Sequence, residues 1–509
     1  MKQPTQALGL AFAITATLAA ATNADARTLA TIAGKALVPL NHDPTFDDLS
    51  VSRLLNGVLS RWGIPFKLEV KLPPLVPGGK TSKAIQAHKR HRNHRRLLGG
   101  LIGGIASPVT NLLNNVIADP LFGSNVVKAR SDDSDSEWYG TLSFGSPLQD
   151  IKLNFDTGSS DLFLFAPTCT SCSLSNHTAF VPSKSKTYRN STSSWSIGYG
   201  DGSGASGYTS FDTTSITSSN VRDGALQLNN FLFALATSVS SPSWATSETS
   251  GLVGLAQDRL ARMSNGRTIF SALVSERKLE RDVLGIRLVK KERGEAHRVG
   301  VTVDGGGGAY TFGYVEERWI VGGEAGLTWT DVTSSNYWGL PMDDVQMGGK
   351  SVLDSKTPRR AILDTGTSLI ITSTALAASI HTHIPDAYQS QSGGIWIIPC
   401  NQPSAPGGPV AQKPSSSSLP NLVNNSATSS VFFVVAGRRF GVPLQDLAWK
   451  PLDSDGFWCV SGVQGGVEGF TILGAMFIKN HYVALRYNDK QGESLSVGIG
   501  DRTDVEVMV

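Results

Sequence analysis

Apolar residues along this chain come in short runs broken by polar turns, and only rarely at helical spacing. Leu153-Asn154-Phe155 and Ala361-Ile362-Leu363 predict buried strands, as do the runs Leu162 to Phe165, Ser368 to Ile371, Gly251 to Leu255 and Phe470 to Gly474. Shorter alternating segments between them predict further strands with one buried face. One stretch has the other period: Phe270, Leu273 and Val274 share a helix face, which predicts a helix over 269–279 ahead of the charged cluster 277–281. The pattern is therefore all-β with many turns, and abundant Gly, Ser and Thr with only 17% charged residues agrees with it. With 509 residues there is length for two or three domains.

The N-terminus departs from this pattern. Lys2, an apolar core from Ala7 to Ala21 and the small-residue site Ala24-Asp25-Ala26 predict an export signal over residues 1–26. The paired glycines and Pro108 interrupt the apolar run after Leu97, and the C-terminal tail lacks an apolar end, so neither a transmembrane segment nor a lipid anchor is expected. The formal net charge of +3 hides an asymmetry: residues 1–130 carry +10 and residues 131–509 carry −7. The densest basic part, Lys83 to Arg96, would suggest nucleic acid in an intracellular chain. Behind an export signal no nucleic-acid partner is expected. The cluster is then a dibasic site for a kexin-type processing protease, a prosegment patch that masks an acidic cleft, or a solvated run.

Four cysteines in an exported chain favour two disulfides. Cys169-Thr170-Ser171-Cys172 also fits a redox motif or half a metal site, but Cys400 and Cys459 are too far apart to supply the second half. No His-Glu-x-x-His occurs, and His381-Thr382-His383 lacks the spacing for one helix face, so no metal and no cofactor is expected. Asn176, Asn190 and Asn424 begin glycosylation sequons in loop-like sequence. Val109 to Ile117 has the pattern of an amphipathic helix, residues 402–430 that of a Pro/Ser-rich surface insertion, and Gly305 to Gly308 that of a turn.

The candidate chemistry lies in a repeated triplet. Asp156-Thr157-Gly158-Ser159 and Asp364-Thr365-Gly366-Thr367 each follow one apolar strand and precede another, about two hundred residues apart. Each Asp is thereby placed on a tight turn between buried strands, where Gly permits close approach of a partner. Two such carboxylates brought face to face cannot both ionise cheaply and share one proton, which supplies an acid and a base together.

With those loops, the chain from about Tyr139 onward resembles the pepsin-like aspartic proteases. Tyr139 to Pro147 looks like that family's first hairpin, Ile197-Gly198-Tyr199-Gly200-Asp201-Gly202-Ser203 like its flap, and Gly251 to Leu255 and Phe470 to Gly474 like its two strands under the catalytic loops. The resemblance implies a bilobed β fold about a pseudo-twofold axis, with a basic prosegment over 27–130, a first lobe over 131–326 with the flap and a second over 327–509. It implies a monomeric zymogen inhibited by its own prosegment, acting on polypeptides between bulky apolar residues at acid pH. The enzyme would be released outside the cell, with an acidic vacuole as the alternative destination.

The resemblance also assigns roles. Asp156 and Asp364 would be catalytic; Thr157 and Thr365 would bond across the loops; Ser159 and Thr367 would donate to the acids; Gly158 and Gly366 would complete the turns. Tyr199, Gly200 and Asp201 would contact substrate from the flap, and Asp201 either pairs with a substrate Lys or is a solvated turn residue. Cys169 would pair with Cys172 and Cys400 with Cys459. One departure is visible: Phe163 stands where the family usually has Trp, removing an indole N–H that joins the flap tyrosine's relay. A non-catalytic relative that keeps the fold for binding is the alternative, and loss of an acid or its hydroxyl partner would mark it.

Overall fold

In the computed structural model, residues 126–131 and 137–505 are described, apart from 175–176, 201, 217–225, 241–243, 245–246, 289–306, 356, 391–393, 401–429, 453–456 and 489–493. Short strands at 10–11, 13–16, 39–40 and 68–71 are also described. Most of the export signal and of the prosegment, the helix expected after Val109, residues 402–429 of the expected insertion, Asp201, Asn176 and Asn424 lie outside the described residues.

The chain folds into two β lobes that share one sheet, giving an all-β bilobed architecture with few and short helices. At the centre of the shared sheet, Val283–Arg287 of the first half pairs antiparallel with His481–Tyr487 of the second. Outward from that pair lie Gly307–Phe312 and Val126–Ser131 on one side, and Leu495–Asp501 and Thr328–Asp331 on the other. Each lobe thus supplies one strand from its start and two from its end, related by a pseudo-twofold axis. Val283, Leu284, Ile286, Val483 and Leu485 are all buried, because layers cover both faces of this sheet.

Three sequence expectations differ from the structure. The strand Val126–Ser131 pairs with Trp138–Phe144 and with Gly307–Phe312, so residues expected to end the prosegment are part of the body's sheet. Gly307 and Gly308, expected in a turn, open a strand: a Cβ on Gly308 would strike the Arg287 carbonyl on the neighbouring strand, so glycine there serves close approach. Asn190, expected in a loop, lies exposed on the edge strand Arg189–Gly198.

The predicted helix forms over Ile269–Ser275, capped by Thr268, whose side chain accepts from Ser271 N. It stops short of 279 because Arg277 turns left-handed at φ 57°, and Lys278 N closes back on Leu273 O at 2.9 Å. Disulfides join Cys169 to Cys172 and Cys400 to Cys459.

Candidate active site

Each acid loop is built on the same arrangement of strands. Asn154, Phe155 and Asp156 run parallel to Leu252, Val253 and Gly254, and Ile362, Leu363 and Asp364 run parallel to Ile472, Leu473 and Gly474. Packing requires the glycine opposite each Asp. A Cβ on Gly254 would strike the Ser160 backbone, and one on Gly474 would strike the carbonyls of Thr367 and Leu369. Both strands are buried on both faces, which explains their continuous apolar sequence.

The two loops meet at the lobe boundary and hold each other through their threonines. Thr365 Oγ1 accepts from Thr157 N at 3.0 Å and donates to Phe155 O at 2.6 Å. Thr157 Oγ1 accepts from Thr365 N at 2.9 Å and donates to Leu363 O at 2.9 Å. Four backbone groups sealed from water are satisfied by two hydroxyls, so either loop depends on the other for its shape.

The carboxylates of Asp156 and Asp364 are fully buried within this frame. Asp156 accepts from Gly158 N at 2.7 Å on one oxygen and from Ser159 Oγ at 2.5 Å on the other. Asp364 accepts from Gly366 N at 2.9 Å and Thr367 Oγ1 at 2.6 Å in the same pattern. Gly158 also brings the lobes together: a Cβ there would lie 2.6 Å from the Asp364 carboxyl carbon, so only glycine lets that carboxyl approach the first loop. Beneath, the Tyr310 ring stacks on Phe155 at 4.7 Å, and burial raises its phenol pKa so that it stays neutral.

The flap sequence forms a hairpin. Arg189–Gly198 and Gly204–Ser215 pair through Gly198 and Gly204, and Tyr199 N bonds Ser203 O at 2.8 Å across the turn. A cleft of about 150 Å³ opens between this hairpin, through Tyr199 and Gly200, and the acid loops, through Gly158, Ser159 and Asp364. Phe163 is buried with Trp195 at 5.3 Å and Trp244 at 5.4 Å, and Trp244 lies 6.2 Å from the Tyr199 ring. Trp195 from the hairpin itself and Trp244 from a separate segment therefore surround Phe163 with aromatic rings.

Sequence reasoning missed four residues here. Asp161 is buried and accepts from Arg262 N at 2.9 Å, Met263 N at 3.2 Å and Trp195 Nε1 at 3.4 Å. Burial raises its pKa despite those donors. Its signal was an acid inside an apolar run, next to the loop already singled out. Arg262 and Tyr337 line the cleft from loops, and Trp244 lies in a polar segment; none belongs to a periodic pattern.

A family model described as eukaryotic aspartyl protease matches residues 137–496. Rhizopuspepsin-4 of Rhizopus niveus is 34% identical over 361 residues, covering 71% of this chain and 77% of that protein. Syncephapepsin of Syncephalastrum racemosum is 30% identical over 424 residues, covering 83% and 89%. Pepsin-3 of Oryctolagus cuniculus is 27% identical over 388 residues, covering 75% and 87%.

Proposed function

Because the chain belongs to the eukaryotic aspartyl protease family and is an aspartic-type endopeptidase, we propose that Asp156 and Asp364 are its catalytic pair and that it is a secreted zymogen. One observation carries this reading: two buried carboxylates, each with one amide and one hydroxyl donor, sit on loops from different lobes that bond to each other, beside a cleft under a hairpin that Asp364 lines. A non-catalytic role is not favoured, since both acids and both hydroxyl partners are kept.

The cycle needs one carboxyl ionised and the other protonated at the same time. The ionised member takes a proton from a water between the carboxyls while the protonated member donates to the scissile carbonyl oxygen. The water oxygen adds to the carbonyl carbon, giving a neutral gem-diol, and proton return to the amide nitrogen releases the two peptides. Because the two loops give their acids the same set of donors, either Asp can fill either part. The flap covers the peptide and excludes water, and apolar walls flanking the acids suit bulky apolar side chains on both sides of the cleaved bond.

Release of the mature enzyme is assigned to a cut on the N-terminal side of Val126, because the strand Val126–Ser131 is hydrogen-bonded on both edges within the body. The basic leader is proposed to inhibit by charge, weakening as acid protonates the body's carboxylates. No helix among the described residues is long and apolar enough to cross a membrane, and export rests on the signal over residues 1–26.

The test is cleavage of an apolar-centred peptide at acid pH by purified wild type, Asp156→Asn and Asp364→Asn. Both variants should fold and lose cleavage, and a pepstatin-type inhibitor should block the wild type. Substantial activity in either variant would overturn the assignment. Incubating the precursor at acid and neutral pH and sequencing the new N-terminus locates the maturation cut.

A further inference from the structure

The cleft carries a cation whose charge the proposed chemistry does not use. Among the described residues Arg262 is the one positively charged residue lining it, together with Leu260 and Tyr337. Its side chain is exposed, and among the described residues no carboxylate lies within salt-bridge distance of it, although the nearby Asp161 carboxyl feels its charge. Asp161, the acid nearest in sequence contact, spends both oxygens on the backbone amides of Arg262 and Met263 and on the Trp195 indole.

The backbone around Arg262 is held from two sides. Asp161 follows the first acid loop by two residues beyond Ser159, so its grip on Arg262 N and Met263 N ties this segment to that loop. On the other side, Ser160 Oγ donates to Gln257 O at 2.6 Å, and Gln257 Nε2 donates to Tyr337 O at 2.7 Å. The cleft wall bearing Arg262 and Tyr337 is thus pre-formed before any peptide arrives, which lowers the entropy lost on binding. An exposed guanidinium on such a wall offers a planar pair of N–H donors to a carboxylate.

We propose that Arg262 is a specificity-determining residue that recognises an acidic side chain, Asp or Glu, of the substrate close to the scissile bond. This rests on the endopeptidase reading above and adds to its apolar preference a selected acid at one neighbouring position. Because the guanidinium stays charged throughout the acid range while a substrate Glu titrates near pH 4.3, the preference switches on as pH rises through that value.

The test uses peptides with a fixed apolar pair at the cleaved bond and Glu or Gln at each of the two nearest positions on either side. The readout is the Glu/Gln ratio of kcat/KM at pH 3 and pH 5. At one position the wild type should favour Glu by about five- to tenfold at pH 5, as for a partly desolvated ion pair, and by about onefold at pH 3. Arg262→Ala should bring the pH 5 ratio to about one, Arg262→Lys should keep part of it and Arg262→Glu should invert it. Since the wild-type pH profile needs no variant, the proposal stays testable if Arg262→Ala folds poorly. A wild-type ratio near one at every position at pH 5 overturns the proposal. So does a ratio that Arg262→Ala and Arg262→Glu leave unchanged. Failure of the wild type to cut the Gln peptides at all would instead overturn the endopeptidase reading.

Discussion

A buried imidazole in the second lobe sets a limit on acid stability that can be worked from the structure. His381 ends the helix Thr374–His381 and is buried, with its ring stacked on Trp396 at 4.3 Å and 7°. Nδ1 donates to Ala377 O at 2.6 Å, and Nε2 accepts from Ser461 Oγ at 2.7 Å in the neutral tautomer this arrangement requires. Burial pushes its pKa from 6.5 down to about 4. Between those values the unfolded chain binds a proton that the folded chain refuses, so stability is fully present above pH 6.5 and falls as pH drops toward 4. At about 1.4 kcal/mol per unit of pKa, the loss is about 3 kcal/mol, a large part of a typical folding free energy. His381→Gln removes the titration. It should cost about 1–2 kcal/mol at pH 7 through the lost stack and imperfect hydrogen bonds. It should also flatten the decline in stability from pH 7 to pH 4 by about 3 kcal/mol. Guanidinium unfolding of both proteins across that range, in an Asp156→Asn background to prevent autolysis, measures the difference. Parallel pH curves, or an imidazole proton resonance titrating near its ordinary value, would refute the reasoning.

Thr365→Val should leave Thr157 N and Phe155 O without their partner, costing about 2–4 kcal/mol and lowering kcat more than it raises KM, whereas Thr365→Ser should restore both; thermal melts and steady-state kinetics check this. Gly474→Ala should force the Thr367 and Leu369 carbonyls apart at about 1–3 kcal/mol and displace the hydroxyl that donates to Asp364, so activity should fall further than the melting temperature suggests. Asp161→Asn should keep the backbone amides but turn an amide N–H toward the Trp195 indole, changing tryptophan emission at a cost of about 1–2 kcal/mol. Because burial raises the Asp161 pKa, the wild type loses stability as pH rises through its folded value, and the Asn variant should lack that component in a pH series of melts.

The sequence by itself determined the features that depend on neighbours along the chain. An Asp-Thr-Gly turn needs only its own residues and the apolar strands on either side, so the turns carrying Asp156 and Asp364 were legible, while the hairpin carrying Tyr199 was expected from the resemblance to the pepsin-like family. The helix over Ile269–Ser275 was legible from its period, but its end was not, because a left-handed Arg277 has no glycine to announce it. Tertiary structure decided what depends on strands meeting across long separations. Val126–Ser131 joins the body because two distant strands leave a place for it, and no local signal separates it from the leader before it. Gly308 is a strand residue because the Arg287 carbonyl passes too close for a side chain. Arg262, Tyr337 and Trp244 reach the cleft or flap from irregular segments, where burial and direction follow no period that a sequence could display. The paired acids could thus be read from local turn chemistry, while the cleft wall around them is a product of packing between segments far apart in the chain.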